Sequence, residues 1–244
     1  MGKLEISELV EYIEKNIIQF HRKRLEKLQQ LQLNNVLKKK NPYLFKAKAI
    51  DTAQDYVKNI LDAFLSSQAE GIFGLFLEEL AIFVGSRVYN GMRSKWEGMD
   101  LEFEKDQVKY IVSMKSGPNW GNSDQIKRMR HNFNRVKEYL ILQNSSVTVV
   151  AVNGCCYGHD NKPDKGDYLK LCGQRFWSFI SGNEYLYTEI IEPLGHQAKQ
   201  RNQEFMEQYA QIINRFTLEF IQKFCTKTGQ IMWNKIVKFN SSPE

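Results

Sequence analysis

The sequence predicts one α/β domain with helical extensions at both ends. Three observations carry this expectation. Apolar residues recur at near-helical spacing toward both termini. Between them, residues 99–104, 108–115 and 146–152 are strand-length blocks that alternate or run apolar. Finally, no Gly/Pro/Ser-rich linker is long enough to separate two domains.

In chain order, residues 5–33 read as a long amphipathic helix on Leu9, Ile13, Ile17, Leu25, Leu28 and Leu31, stopped by Asn41-Pro42. Residues 51–67 form a second helix capped by Asp51 or Thr52. Residues 71–84, GIFGLFLEELAIFV, form a third; it is apolar nearly all round, and hence central, yet it carries Glu78 and Glu79. Strands 99–104 and 108–115 follow, joined by a tight turn at Lys105-Asp106-Gln107. Residues 123–143 make a basic helix, and 146–152 a fully apolar strand of the kind that sits inside a sheet. Residues 169–181 hold a short aromatic helix ended by Gly182, in which Phe176, Trp177 and Phe179 read as core. Residues 200–224 form a long helix striped by Phe205, Tyr209, Ile212, Phe216, Phe220 and Phe224, for a core or a dimer interface. The domain thus divides into a helical part (1–67), a core (68–182) and a second helical part (183–244).

With 34 Lys and Arg against 28 Asp and Glu, the net charge is +6. Its distribution matters more than its size. Lys38, Lys39, Lys40, Lys46 and Lys48 stand together without an acid, and Lys127, Arg128, Arg130, Arg135 and Lys137 crowd one helix, as a phosphate backbone requires. No apolar leader or membrane-length run occurs, which predicts a cytoplasmic protein. Cys155, Cys156 and Cys172 are spaced too irregularly for structural zinc, the four histidines lie far apart with no nucleophile beside them, and no phosphate-binding glycine loop is present.

The period-two rule puts Ile111, Ser113 and Lys115 on one face of their strand, and Asp100 on the same face of its neighbour. A carboxylate, a lysine on the adjoining strand and two more carboxylates on a buried helix suit metal-assisted phosphodiester hydrolysis. An edge hairpin with charges on its wet face fits the same spacing.

Asp100 and Lys115, with 14 residues between them on adjacent strands, resemble the core of the PD-(D/E)xK nuclease superfamily. Three segments, KSGPNWGNSDQ (115–125), FGLFLEEL (73–80) and CYGHDNKPDKGDYLKLCGQRFWSFISG (156–182), are similar to one group of type II restriction endonucleases in which SxK replaces (D/E)xK. Members of this group cut interrupted GG…CC palindromes such as RGGNCCY. The resemblance, over residues 41–195, implies a restriction-endonuclease-like core of mixed β-sheet flanked by helices, Mg²⁺ (with Mn²⁺ as a substitute), double-stranded DNA as substrate, a homodimer and a genetically linked methyltransferase. It implies Asp100 as central metal ligand, Lys115 as catalytic lysine, and Ser113 at the position where the superfamily has an acid. A hydroxyl is a poor Mg²⁺ ligand, so the second carboxylate comes from elsewhere: Glu79 first, with Glu78 or Glu102 as alternatives, and the Met114 carbonyl beside them. Asn119, Trp120, Asn122, Ser123, Gln125, Lys127, Arg128 and Arg130, together with Lys38, Lys39 and Lys40, are the expected DNA contacts, with Gly117, Pro118 and Gly121 letting the chain turn against the duplex. A structure-specific repair nuclease, or a DNA-binding protein that has lost catalysis, remains compatible with the same residues.

Overall fold

The computed structural model describes residues 2–243. Ten helices and five strands follow one another as α1 (Ile6–Gln29), α2 (Leu33–Lys39), α3 (Pro42–Ala47), α4 (Ala53–Tyr89), β1 (Met92–Arg93), β2 (Leu101–Lys105), β3 (Val108–Lys115), α5 (Ser123–Gln143), β4 (Thr148–Cys155), β5 (Leu169–Cys172), α6 (Gln174–Ser181), α7 (Leu186–Glu189), α8 (Ile191–Leu194), α9 (Ala198–Phe224) and α10 (Trp233–Ser241) among the described residues. The chain forms two compact units. One takes the chain up to Ile17 and Gly74–His196; the other takes Ile18–Phe73 and the chain from Gln197 on.

The first unit is built on a five-stranded mixed sheet in the order β1-β2-β3-β4-β5, the α/β architecture that the sequence predicts. β1, β2 and β3 are antiparallel, while β3, β4 and β5 are parallel, with α5 as the crossover between β3 and β4. Helices cover both faces, which is why β4 reads as nearly continuous apolar sequence. On one face Met129, Phe133 and Val136 of α5 pack on Ile111 and Ala151. On the other, Phe179 of α6 meets Phe103 and Tyr110, Tyr89 stacks on Phe103, and Gly85 of α4 lets the Leu101 side chain come close. Phe176 occupies the space that a side chain at Gly154 would need. The aromatic segment of α6 is core: Phe176 and Trp177 are buried, and the indole N–H of Trp177 donates to the Cys156 carbonyl at 2.8 Å.

The second unit is helical. Tyr56, Val57 and Ile60 of α4 pack with Phe216, Phe220 and Phe224 of α9, Val36 of α2, Phe45 of α3 and Ile236 of α10. The phenylalanine stripe is thus used within the chain.

Several boundaries differ from the sequence reading. The N-terminal helix stops at Gln29, and of the residues expected to extend it only Leu33 is helical, as the first of a separate α2. Pro42 starts α3 as its first residue under an Asn41 cap. The two helices expected at 51–67 and 71–84 are one helix of 37 residues, α4. Gly71 lowers helix propensity by about 1 kcal/mol relative to Ala, a cost that burial along α4 outweighs. Residues 169–172, expected at the start of a helix, form β5 instead. All four cysteines are free and buried. Among the described residues, no helix is long and apolar enough to cross a membrane.

Candidate active site

The β2–β3 hairpin brings the central residues together. Asp106 and Gln107 both adopt positive φ, 51° and 64°, as a two-residue type I′ turn requires, and the register that follows pairs Leu101 with Val112. Asp100, one residue before β2, donates its N–H to the Val112 carbonyl at 2.8 Å, and its Oδ2 accepts the Met114 N–H at 2.5 Å. The carboxylate is therefore tied to the strand that carries Lys115. Lys115 ends β3, where its carbonyl accepts the Cys156 N–H at 3.0 Å.

Burial pushes the Asp100 carboxyl above the usual aspartate range; the Met114 N–H opposes this, the nearby negative charge of Glu78 reinforces it, and Lys115 and Arg93 pull the other way. The thiol of Cys156 lies against the same pair: burial first, then Glu78 and Asp100, pushes it up to about 12. It is a neutral, inert wall of the site.

The helix phase separates the two glutamates of α4. Glu78 shares the surroundings of Asp100 and its side chain is 24% exposed, whereas that of Glu79 is 58% exposed. Arg93 of β1 forks across both, donating to Glu78 at 2.9 Å through Nη1 and to Glu79 through Nη2. Glu79 was the expected partner of Asp100, with Glu78 as an alternative; of the two, it is the charge of Glu78 that acts on the Asp100 carboxyl. Glu102 is taken up elsewhere, in a nearly buried ion pair with Lys109 at 2.9 Å. Ser113 is buried at 2% exposure, and its carbonyl accepts from Nδ2 of Asn153 at 3.1 Å.

Asp100 and Glu78 offer two hard oxygen donors in one place, and their mutual repulsion is the condition that a divalent cation relieves. Among the described residues no group of three or more His, Cys, Asp or Glu is arranged to hold a metal ion. A two-carboxylate set suits Mg²⁺, which keeps several waters and takes one or two carboxylates beside substrate phosphates. The residues fit that ion.

The loop after Lys115 is held by protein. Neither Gly117 nor Gly121 has a positive φ; the ring of Tyr157 lies where a Cβ at Gly117 would stand, and the Tyr157 N–H donates to the Ser116 carbonyl at 3.0 Å. The Pro118 carbonyl accepts from Lys170 at 2.9 Å. Trp120 is half-buried against the α5 layer, with Lys115 Nζ 5.2 Å from its ring centroid. Asn122 and Gln125 are spent on a capping box at the start of α5. Asn119 and Ser123 are exposed. Lys127 pairs with Asp124 at 3.5 Å, Arg128 with Glu97 at 3.0 Å, and Arg130 with Asp167 at 2.7 Å, so part of the basic helix is already neutralised. Such exposed pairs contribute little to stability.

Lys38, Lys39 and Lys40 belong to the second unit. Lys38 sits over Phe239, Lys39 and Lys40 over Phe64, and Lys40 donates to the Ala63 carbonyl at 2.8 Å. Sequence reasoning missed Arg93 and Asn153. The first lies on a two-residue edge strand without pattern, and the second is one polar residue inside an apolar run.

A search of curated proteins finds no match. A family model described as type II restriction endonuclease EcoO109I matches residues 7–202.

Proposed function

Because the chain belongs to the type II restriction endonuclease EcoO109I family, and so to the site-specific deoxyribonucleases, we propose that it cleaves both strands of a palindromic DNA site in a Mg²⁺-dependent reaction that leaves 5′-phosphate ends. The observation that carries this reading is the tie of the Asp100 carboxylate to the Met114 N–H, one residue before Lys115, with the charges of Glu78 and Lys115 both acting on that carboxyl.

Asp100 and Glu78 are the residues to hold Mg²⁺, with the Met114 carbonyl as a further ligand. Bound there, the ion would supply charge neutralisation for a phosphate and a lowered pKa for a water. The Met114 N–H fixes one oxygen of Asp100 and so orients the carboxylate. Lys115 orients the attacking water and offsets charge that develops on the phosphate. The water oxygen bonds to phosphorus and gives up a proton, the bond from phosphorus to the 3′-oxygen breaks, and the departing 3′-oxygen takes up a proton to become the 3′-hydroxyl. Glu79 is left as the outer acid of the Arg93 fork, and Ser113 as a buried part of the strand end.

A two-fold site calls for two copies of the chain, and a homodimer is the expected form. Lys127, Arg128 and Arg130, with Asn119 and Ser123, are the proposed contacts to phosphates, and Lys38, Lys39 and Lys40 are further candidates. The motif group suggests an interrupted GG…CC palindrome. A companion methyltransferase protects the genome that encodes such an enzyme.

Digestion of a long plasmid or phage DNA with Mg²⁺ tests the reading, with the wild type beside Asp100→Ala and Lys115→Ala. Discrete bands from the wild type alone are expected, and their ends give the site. A smear, or cutting that survives both substitutions, would overturn it.

A further inference from the structure

Asn153 of β4 is the most buried polar side chain beside the proposed centre, at 1% exposure, and it lies next to Ser113 in register. Its amide joins two groups that each leave it one choice. The Trp120 indole N–H can only donate, and it donates to Oδ1 at 3.1 Å; the Ser113 carbonyl can only accept, and it accepts from Nδ2 at 3.1 Å. Both ends of the amide are thereby fixed, and the indole is anchored at its N–H. The face of that indole carries the Lys115 ammonium, 5.2 Å from the ring centroid.

We propose that Asn153 and Trp120 are positioning residues for Lys115: a buried amide holds the indole, and the indole holds the ammonium. A lysine has four flexible bonds, and an unsupported ammonium at a strand end would sample many rotamers. A cation–π seat restricts it while leaving its three N–H donors for water and phosphate. No apolar residue at 153 satisfies both partners, and Asp, which lacks the donor, satisfies only the indole. In this arrangement Trp120 acts on Lys115 and does not stack on a base. The inference rests on the reading of Lys115 as catalytic.

The test uses the full chain and a duplex carrying the site mapped from wild-type digestion. Single-turnover cleavage at saturating enzyme, DNA Kd without divalent metal, and Tm are measured for Trp120→Phe, Trp120→Leu, Asn153→Asp, Asn153→Leu and Lys115→Ala. Trp120→Leu and Asn153→Leu should slow cleavage at least tenfold with Kd within about twofold, and Trp120→Phe, which keeps a ring face, should recover much of the rate. Adding Trp120→Leu to Lys115→Ala should cost nothing further, since the indole acts through the lysine. Weakened binding with an unchanged saturated rate would make Trp120 a DNA contact and sink the proposal. So would equal losses in the Phe and Leu variants, or a further loss in the double variant. Full cleavage by Lys115→Ala would instead sink the assignment of the lysine, a different failure. If Asn153→Leu does not fold, Asn153→Asp and the Trp120 pair decide.

Discussion

Nη1 of Arg93 donates to Glu78 at 2.9 Å while Nη2 reaches Glu79, so one guanidinium spans both acids of α4. The same positive charge acts on Asp100. A cation entering between Asp100 and Glu78 therefore meets a charge already in competition for the carboxylates. Arg93→Ala should bind Mg²⁺ about two- to fivefold more tightly in the absence of DNA, the range expected of a half-exposed ion pair. Titration calorimetry, or terbium luminescence as a surrogate, reads the change directly. Unchanged or weaker affinity would mean that Arg93 organises the acids and does not compete for them.

Glu78 and Glu79 should differ sharply when each is made the amide. Glu78→Gln should lower the cleavage rate by about 100-fold or more, in line with the loss of a group that contacts the reacting charge. Glu79→Gln should stay within a few-fold of the wild type. The reverse ranking in a single-turnover assay would return the ligand role to Glu79.

The raised pKa of Asp100 has a consequence for stability. A carboxyl whose folded pKa lies above its unfolded value binds its proton more tightly when folded, so it favours folding at low pH. That advantage fades as pH climbs from the ordinary aspartate value through the raised one, and above it the buried charge is a net burden. Asp100→Asn keeps an acceptor for the Met114 N–H and removes the charge. It should raise Tm at pH 7, with the gain shrinking as pH is lowered toward the ordinary aspartate value, in melts followed by circular dichroism. A lower Tm for Asp100→Asn at neutral pH would contradict this.

Asn122 caps α5, accepting from the N–H groups of Asp124 and Gln125 at 3.1 and 3.0 Å. Asn122→Ala should cost about 1 kcal/mol in denaturant unfolding and leave the recognised sequence unchanged. A stable variant with altered site preference would show instead that this side chain reads bases.

The hairpin and α5 were readable because each is specified locally, by two-fold alternation around a short turn and by a capping signal ahead of a basic run. The choice between Glu78 and Glu79 was not. Adjacent helical positions point about 100° apart, and fixing that phase requires knowing that Gly71 lies inside one helix and does not separate two. Gly74 of the same helix does lie close to the strand end: a Cβ at that position would meet Ser116 Oγ, just past Lys115. The contacts of Trp120 were not readable for a similar reason. A tryptophan in a polar loop looks available to a ligand until Asn153, 33 positions away, is seen to hold its N–H. The edge strand β1 and its arginine offer too short a pattern for any local rule to detect.

The turn at Asp106-Gln107 gives the spacing of Asp100 and Lys115 its meaning. Faces of a strand alternate like odd and even numbers, and across this hairpin the two tallies are locked by a turn of two residues. A slip of one residue in that pairing would invert the parity of one strand against the other and turn an acid or a lysine to the wrong side of the sheet. The 14 residues between acid and lysine follow from that pairing and from a turn of only two residues.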